Sequence, residues 1–477
     1  MKVCLLNDSF PPVIDGVANA VLNYAENLNE MNDTDVIVGT PFYPEGNYDT
    51  YPFRVIPYDS LDTSFLTGGY RAGMPFPVRQ ISEMASFQPD IIHTHCPISS
   101  CFVARSLRDI TDAPVVLTYH TKYDIDIRNT VPTRLAQDES IRALVNNVSA
   151  CDEVWTVSAG AGENLRSLGY EGEYKIVVNG VDFPKGRVPD EIVRETVKEY
   201  DLPSDLPVFL FTGRLMKYKG LPMLVDALRM LAEKEDFRMV MIGQGNDSGE
   251  LKQMIRDKGL RYDETDENGI ISSHEGVEKG KIIFTGPVWD RAALRAWNCR
   301  ADLFVFPSVF DTNGLVVREA AACSLASVLI RGSCAAEGIT DGWNGYLIEE
   351  SADALAEILE YACRHRSELK QTGEHASDEI YLSWQDAVAY ARKLYGELLE
   401  KKECGCLTGK KRMADDPLFE MTAEAAMKYA QISETDFPYL EGMLDNLAEF
   451  HQKRREKIVS ELKESRKELE RYLRLLR

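Results

Sequence analysis

Short apolar runs recur along this chain with helix-patterned segments between them, and that alternation constrains the fold more than any other feature. The first series of runs covers residues 2–7, 35–39, 90–93, 114–119, 152–157 and 175–178. Each is short and almost uniformly apolar, which reads as a strand buried on both faces. After the first run Val17, Val21, Tyr24, Ala25 and Leu28 recur at helical spacing. Helices also follow Ser99 and Ala159. Strands joined by helices imply a parallel sheet with both faces covered. A turn at Asn179-Gly180 and a polar stretch to Pro189 interrupt the pattern, which then restarts at 207–212, 238–242, 281–285, 302–306 and 327–330.

The expected fold class is therefore α/β, with two Rossmann-like doubly wound domains and a C-terminal α-helical extension. Residues 1–183 form the first domain, together with a returning helix over 384–400. Residues 184–383 form the second domain, and 401–477 the extension. The acidic, sparsely apolar stretch 261–280 reads as a mobile surface insertion. The length, 477 residues, suits two domains and an appendage.

Charge and cysteine usage narrow the function. Lys and Arg total 54 against 76 acids, a formal −22. No balance of that sign neutralises a duplex, so nucleic acid is excluded as a partner. The ten cysteines are scattered, many inside apolar runs. They read as buried reduced thiols of a cytoplasmic protein. Only Cys404 and Cys406 lie close together, and without a second Cys/His pair they make a poor zinc site. The N-terminus turns polar too soon for a signal peptide.

Among the βα loops, the one after 302–306 carries the most chemistry. Pro307 and Ser308 stop the strand, Asp311-Thr312-Asn313-Gly314 forms a polar loop, and an Ala-rich helix begins at Leu315. Free N–H groups at such a helix start point at an anion. Asp311 and Glu319, eight positions apart, can grip two parts of one elongated ligand; two solvated acids would show the same spacing. After 207–212, Arg214 and Lys219 place two cations at the start of the next helix. There they serve a departing diphosphate or a plain helix-start ion pair, and each charge-assisted contact contributes roughly 1.5–3 kcal/mol. His120 ends the strand 114–119. The opening loop ends in Gly16 but lacks the G-x-G-x-x-G pattern of dinucleotide binders. His93 and His95 face one way at another strand end, with structure or an acceptor contact favoured over metal for want of a third ligand.

In combination, Gly16, Thr118-Tyr-His-Thr-Lys122, Thr212-Gly-Arg214 with Lys219-Gly220, and the Asp311…Glu319 pair resemble glycosyltransferases of GT-B fold. The resemblance is to family four of the retaining, nucleotide-sugar-dependent enzymes, and it covers about residues 1–400. It implies that the second domain binds the nucleotide sugar, that the first binds the acceptor, and that the reaction occurs in the cleft between them. It implies catalytic roles for His120, Arg214 and Lys219. It also implies donor contacts from Gly16, Asp311, Asn313, Gly314, Leu315 and Glu319, with Glu319 on the ribose, the loop amides on phosphate and Asp311 on the sugar. Asp311 stands where the family more often has glutamate, one methylene longer. The implied reaction transfers a hexose from a nucleotide sugar, UDP-sugar favoured and GDP-mannose the alternative, to a hydroxyl acceptor. No cofactor is expected beyond that donor, and no metal. Asp124-Ile-Asp126 has a metal-binding spacing but lies on the wrong domain for a diphosphate. Thr118-Tyr-His-Thr-Lys-Tyr123 particularly resembles members acting on diacylglycerol or phosphatidylinositol, which makes a lipid acceptor and a peripheral position on the inner membrane face natural expectations. The competing reading is a GT-B-fold nucleotide-sugar epimerase or a catalytically silent nucleotide-sugar-binding protein.

Beyond residue 401 the family pattern ends. Residues 417–431 and 437–477 read as helices, and from His451 onward ten Lys/Arg face five Glu. Ile458, Leu462, Leu469, Leu473 and Leu476 form a narrow apolar stripe suited to self-association or docking first, and to an anionic membrane second.

Overall fold

The computed structural model describes residues 1–13, 15–63, 70–131 and 133–407. The chain divides into two compact units. The first comprises Met1–Thr118, Ile127–Val154 and the residues from Tyr395 onward; the second comprises Tyr119–Asp126 and Trp155–Leu394. The helices expected in the extension, over 417–431 and 437–477, lie outside the described residues.

One sheet contains β1 (Lys2–Leu6), β2 (Asp35–Pro41), β3 (Arg54–Tyr58), β6 (Ile91–Thr94), β7 (Val115–Tyr119), β8 (Glu153–Thr156) and β9 (Lys175–Ile176) in the order β3-β2-β1-β6-β7-β8-β9. Between β3 and β6 in sequence, β4 (Ser60–Asp62) and β5 (Arg71–Gly73) form a separate antiparallel ribbon. β3 escaped the sequence reading because Pro57 interrupts its apolar run; an edge strand tolerates that proline. β7 is buried at all five positions, as a strand covered on both faces must be.

The second unit is built on an eight-stranded sheet. Its strands are β10 (Val208–Thr212), β11 (Arg238–Ile242), β12 (Arg261–Thr265), β13 (Ile271–His274), β14 (Lys281–Gly286), β15 (Leu303–Phe306), β16 (Ser327–Ile330) and β17 (Tyr346–Ile348), in the order β13-β12-β14-β11-β10-β15-β16-β17. β10 pairs in parallel with both β11 and β15, and the chain builds outward in both directions from it. The carboxyl ends of β10 and β15 are thus the point where the strand order reverses, the position at which doubly wound sheets hold ligands.

The segment expected to be a mobile insertion is instead part of this sheet. β12 pairs in parallel with β14, and β13 turns back antiparallel against β12. The two acids on β12 are paired rather than solvated: Lys281 meets Asp263, and Lys252 meets Glu264. Buried Tyr262 stacks on His274. Paired acids look like loop acids in a sequence.

The two histidines at the end of β6 are structural. His93 is buried and bonds Tyr395 through Nδ1 at 2.6 Å and Thr118 through Nε2 at 2.7 Å. The His95 ring lies 4.0 Å from it. Eight cysteines are free, seven of them buried, but Cys404 and Cys406 are joined as a disulfide, which the expectation of reduced thiols did not include. Among the described residues no helix is long and apolar enough to cross a membrane.

One glycine locks the loop after β10 onto the end of β15. Gly220 has φ +75°, and a Cβ there would stand 2.1 Å from the Pro307 carbonyl oxygen. Both the left-handed backbone and the close approach demand glycine. Gly220→Ala is expected to cost about 1–3 kcal/mol, read as a lowered denaturation midpoint. An unchanged midpoint would mean that the two loops are not held together in this way.

Candidate active site

Two loops of the second unit meet where the order of its sheet reverses. β10 ends at Thr212, and Gly213-Arg214 leads to a single 3-10 turn, Lys217–Lys219. The Lys219 side chain is only 12% exposed, and its Nζ contacts Asp311 Oδ1. The other carboxylate oxygen of Asp311 accepts a hydrogen bond from Ser308 Oγ at 2.5 Å. The structure thus brings Lys219 and Asp311 together, and they bond directly to each other. Arg214 is exposed and forms no ion pair among the described residues.

Past Asp311 the chain turns through Gly314, at φ +59°, into the helix Leu315–Ala322. A Cβ on Gly314 would lie 2.8 Å from the Ala335 methyl, so glycine is needed for packing as well as for conformation. No side chain caps this helix. Val317 N donates to the Gly314 carbonyl, and the N–H groups ahead of it, of Leu315 and Val316, carry the positive end of the helix dipole. Asn313, Gly314 and Leu315 thus surround an anion-suited helix start. The Nδ2 of Asn313 and the Oγ of Ser333 are buried without hydrogen-bond partners among the described residues. Buried polar atoms are normally satisfied, and orphans beside an uncapped helix start mark a place for a polar ligand.

Glu319 sits four residues after Leu315, on the same helix face, and side chains on a helix lean toward its N-terminus. Its carboxylate is 13% exposed and meets Arg291 at 2.5 Å. Arg291 also contacts Asp182, and its guanidinium lies 4.4 Å over the centre of the Phe183 ring. Burial pushes the Glu319 carboxyl up from its ordinary value, and Arg291 acts against that shift. Asp182, Phe183 and Arg291 were not anticipated from the sequence. One signal was there to find: Arg291 opens the helix Arg291–Arg300, where a cation opposes the dipole unless an acid meets it.

His120 belongs to this same unit. Its ring is buried, with Nδ1 3.4 Å from Asn179 Nδ2. Since the amide nitrogen can only donate, that pairing assigns Nδ1 as acceptor and leaves the proton on Nε2. The backbone oxygen of His120 accepts from Thr312 Oγ1, which ties it to the Asp311 loop. Burial drives the imidazole down to about 3. Nearby, the Glu337 carboxylate accepts from Ala159 N and Gly160 N, both at 2.7 Å, and so caps the helix Ala159–Ser167.

The remaining candidates lie elsewhere or serve other ends. Gly16 opens the helix Gly16–Asn29 in the first unit, N-capped by Asp15, with open space where a Cβ would stand. Asp124 accepts from Asn164 Nδ2 at 3.1 Å. Among the described residues no three His, Cys, Asp or Glu side chains are grouped as metal ligands would be.

Two doubly wound sheets, one with a cationic, uncapped loop at its reversal point, define a GT-B glycosyltransferase fold. Anabaena HepE in complex with UDP-glucose superposes with a TM-score of 0.61 at 19% identity, over 84% of this chain and all of that one. The sucrose-phosphate synthase of Thermosynechococcus elongatus gives 0.64 at 18%, over 84% and 99%. Residues 206–365 match the family described as glycosyl transferases group 1, and residues 14–184 match glycosyltransferase family 4. The chain belongs to these glycosyltransferases. It is 23% identical to the alpha-monoglucosyldiacylglycerol synthase of Acholeplasma laidlawii, over 75% of this chain and 87% of that protein. It is 25% identical to the GDP-mannose-dependent alpha-mannosyltransferase of Corynebacterium glutamicum, over 80% and 86%.

The neutral imidazole gives a direct expectation. The unfolded chain binds a proton at His120 near pH 6.5, while the folded chain does so only near 3. Stability from this group is thus fully present above about pH 6.5 and declines as pH falls from there toward 3. The His120 ring resonances are expected not to titrate between pH 5 and 8. A midpoint near 6.5 by NMR would show the ring to be solvated instead.

Proposed function

We propose that this glycosyltransferase is a retaining, metal-independent hexosyltransferase that moves a hexose from a nucleotide sugar to a hydroxyl acceptor. A UDP-sugar is the favoured donor, with GDP-mannose the alternative, and a membrane lipid such as diacylglycerol the favoured acceptor. The observation that carries the proposal is the convergence of Lys219, Asp311, Asn313 and the uncapped helix start at the reversal point of one sheet. Glu319 lies one helical turn further along. An elongated ligand with an anionic middle fits that order: ribose on Glu319, diphosphate on the helix amides with Arg214 and Lys219, sugar toward Asp311 and His120. The lipid acceptor is supported by the relative named alpha-monoglucosyldiacylglycerol synthase, and UDP by the HepE complex. Residues 1–183 are assigned to the acceptor.

In the step proposed, the bond from the anomeric carbon to the β-phosphate oxygen breaks and a bond to the acceptor oxygen forms on the same face. The acceptor's proton passes to the departing phosphate. Charge grows on that phosphate in the transition state, so cations fixed beside it stabilise the transition state more than the bound donor. Arg214, exposed and without an ion pair among the described residues, is the cation best placed to answer that growth. Lys219 must be shared with Asp311. A neutral His120 with its proton on Nε2 can donate a hydrogen bond to a sugar oxygen without adding charge. With Arg214, Lys219 and the helix amides supplying positive charge, the reaction is assigned no metal.

A panel of UDP-, GDP- and ADP-sugars, followed for binding and transfer, tests the reading. Glu319→Ala is expected to weaken donor binding by about 10- to 100-fold, the loss of one charge-assisted contact of about 1.5–3 kcal/mol. Failure of every nucleotide sugar to bind, or an unweakened Glu319→Ala, would overturn it. Arg214→Ala should lower kcat more than it raises KM. Activity should survive EDTA; its loss would end the metal-independent assignment.

A further inference from the structure

We infer that Arg291 is a positioning residue for the donor, pinning the Glu319 carboxylate by one oxygen so that the other is presented to the ribose hydroxyls. This rests on the assignment of Glu319 to the ribose. Three contacts hold the guanidinium: its Nη2 meets both Asp182 and Glu319, the latter at 2.5 Å, and the Phe183 ring lies 4.4 Å from its centre. The residue stands at a helix N-terminus, where the dipole disfavours a cation. The two acids offset that cost.

The arrangement matters because Glu319 is largely buried. Burial alone favours a neutral carboxyl, and the shift on Glu319 is upward for that reason. A neutral carboxyl is a donor on one oxygen and matches a vicinal diol less well than a carboxylate, which accepts on both. Arg291 acts against that shift and favours the charged form. The other charged groups on surrounding elements are committed elsewhere: Arg295 donates to the carbonyls of Pro184 and Gly186, Arg318 to that of Ile380, and Asp378 pairs with Lys185. Among the described residues Asp182 is the one further charge that acts on Glu319, and it raises the carboxyl.

The test is the affinity ratio of UDP to 2′-deoxy-UDP by calorimetry at pH 7.5 and 5.5, with GDP and 2′-deoxy-GDP as a second pair. The ratio cancels the titration of the phosphates. In the native protein it is expected to be about tenfold at pH 7.5, the worth of a hydrogen bond to a charged group. Arg291→Gln should reduce it at pH 7.5 and reduce it further at pH 5.5, because nothing then opposes the upward push of burial on the Glu319 carboxyl. Arg291→Lys, which returns the charge, should restore most of it. A native ratio in Arg291→Gln at both pH values overturns the role, as does an Arg291→Lys variant that restores nothing. Glu319→Ala separates the two levels of the argument. If the ratio persists without Glu319, the ribose assignment itself is wrong. If it collapses there but survives in Arg291→Gln, only the positioning role is lost.

Discussion

The contact between Lys219 and Asp311 joins the two loops on which the second unit's chemistry depends. Each loop leaves the carboxyl end of a buried parallel strand, β10 or β15, and those strands are neighbours only because the sheet grows outward in both directions from β10. Neither ion would stay so buried alone. Lys219 is 12% exposed and Asp311 22%, and an unpaired charge at that depth would cost several kcal/mol. Gly220 and Ser308 complete the joint, the first by letting the backbone pass the Pro307 carbonyl and the second by holding the far oxygen of Asp311.

The second pair, Arg291 with Glu319, follows the same logic on the next layer. Again a cation, here from the start of the helix after β14, meets an acid from the element after β15. Both acids that the sequence singled out are therefore neutralised before any ligand arrives. That keeps the site folded, and it means that a ligand gains from these groups only what they can give while remaining paired. A carboxylate can manage this, having lone pairs to spare after one cation is bound.

Much of this was legible in the sequence. Buried parallel strands are uniformly apolar, so β1, β2, β6, β7, β10, β11, β14, β15 and β16 stand out, as do the loops after them. Polar groups that find partners across the fold were hidden. The hairpin β12-β13 reads as a loop because Asp263 and Glu264 look solvated until Lys281 and Lys252 are seen against them. Asn179, Asp182 and Arg291 are distant in sequence from the residues they touch, and no periodicity connects them. Spacing placed Asp311 and Glu319 on one ligand-sized stretch. It could not reveal that Asp311 and Lys219 would satisfy each other.

This mutual pairing bears on how a protein of net charge −22 could hold a dianionic diphosphate, as proposed. The long-range field opposes such a ligand, so attraction must be local and unspent. Lys219 and Arg291 are each matched by an acid, whereas among the described residues Arg214 forms no ion pair and the start of the helix Leu315–Ala322 has no side-chain cap. The helix start offers about half a unit of positive charge with fixed direction, and Arg214 offers a full unit from an exposed position. Field strength falls with screening across about a Debye length, 8 Å at physiological salt. Recognition of the diphosphate therefore depends on contact distance rather than on steering, and affinity for the donor should be set by how quickly it leaves more than by how quickly it arrives.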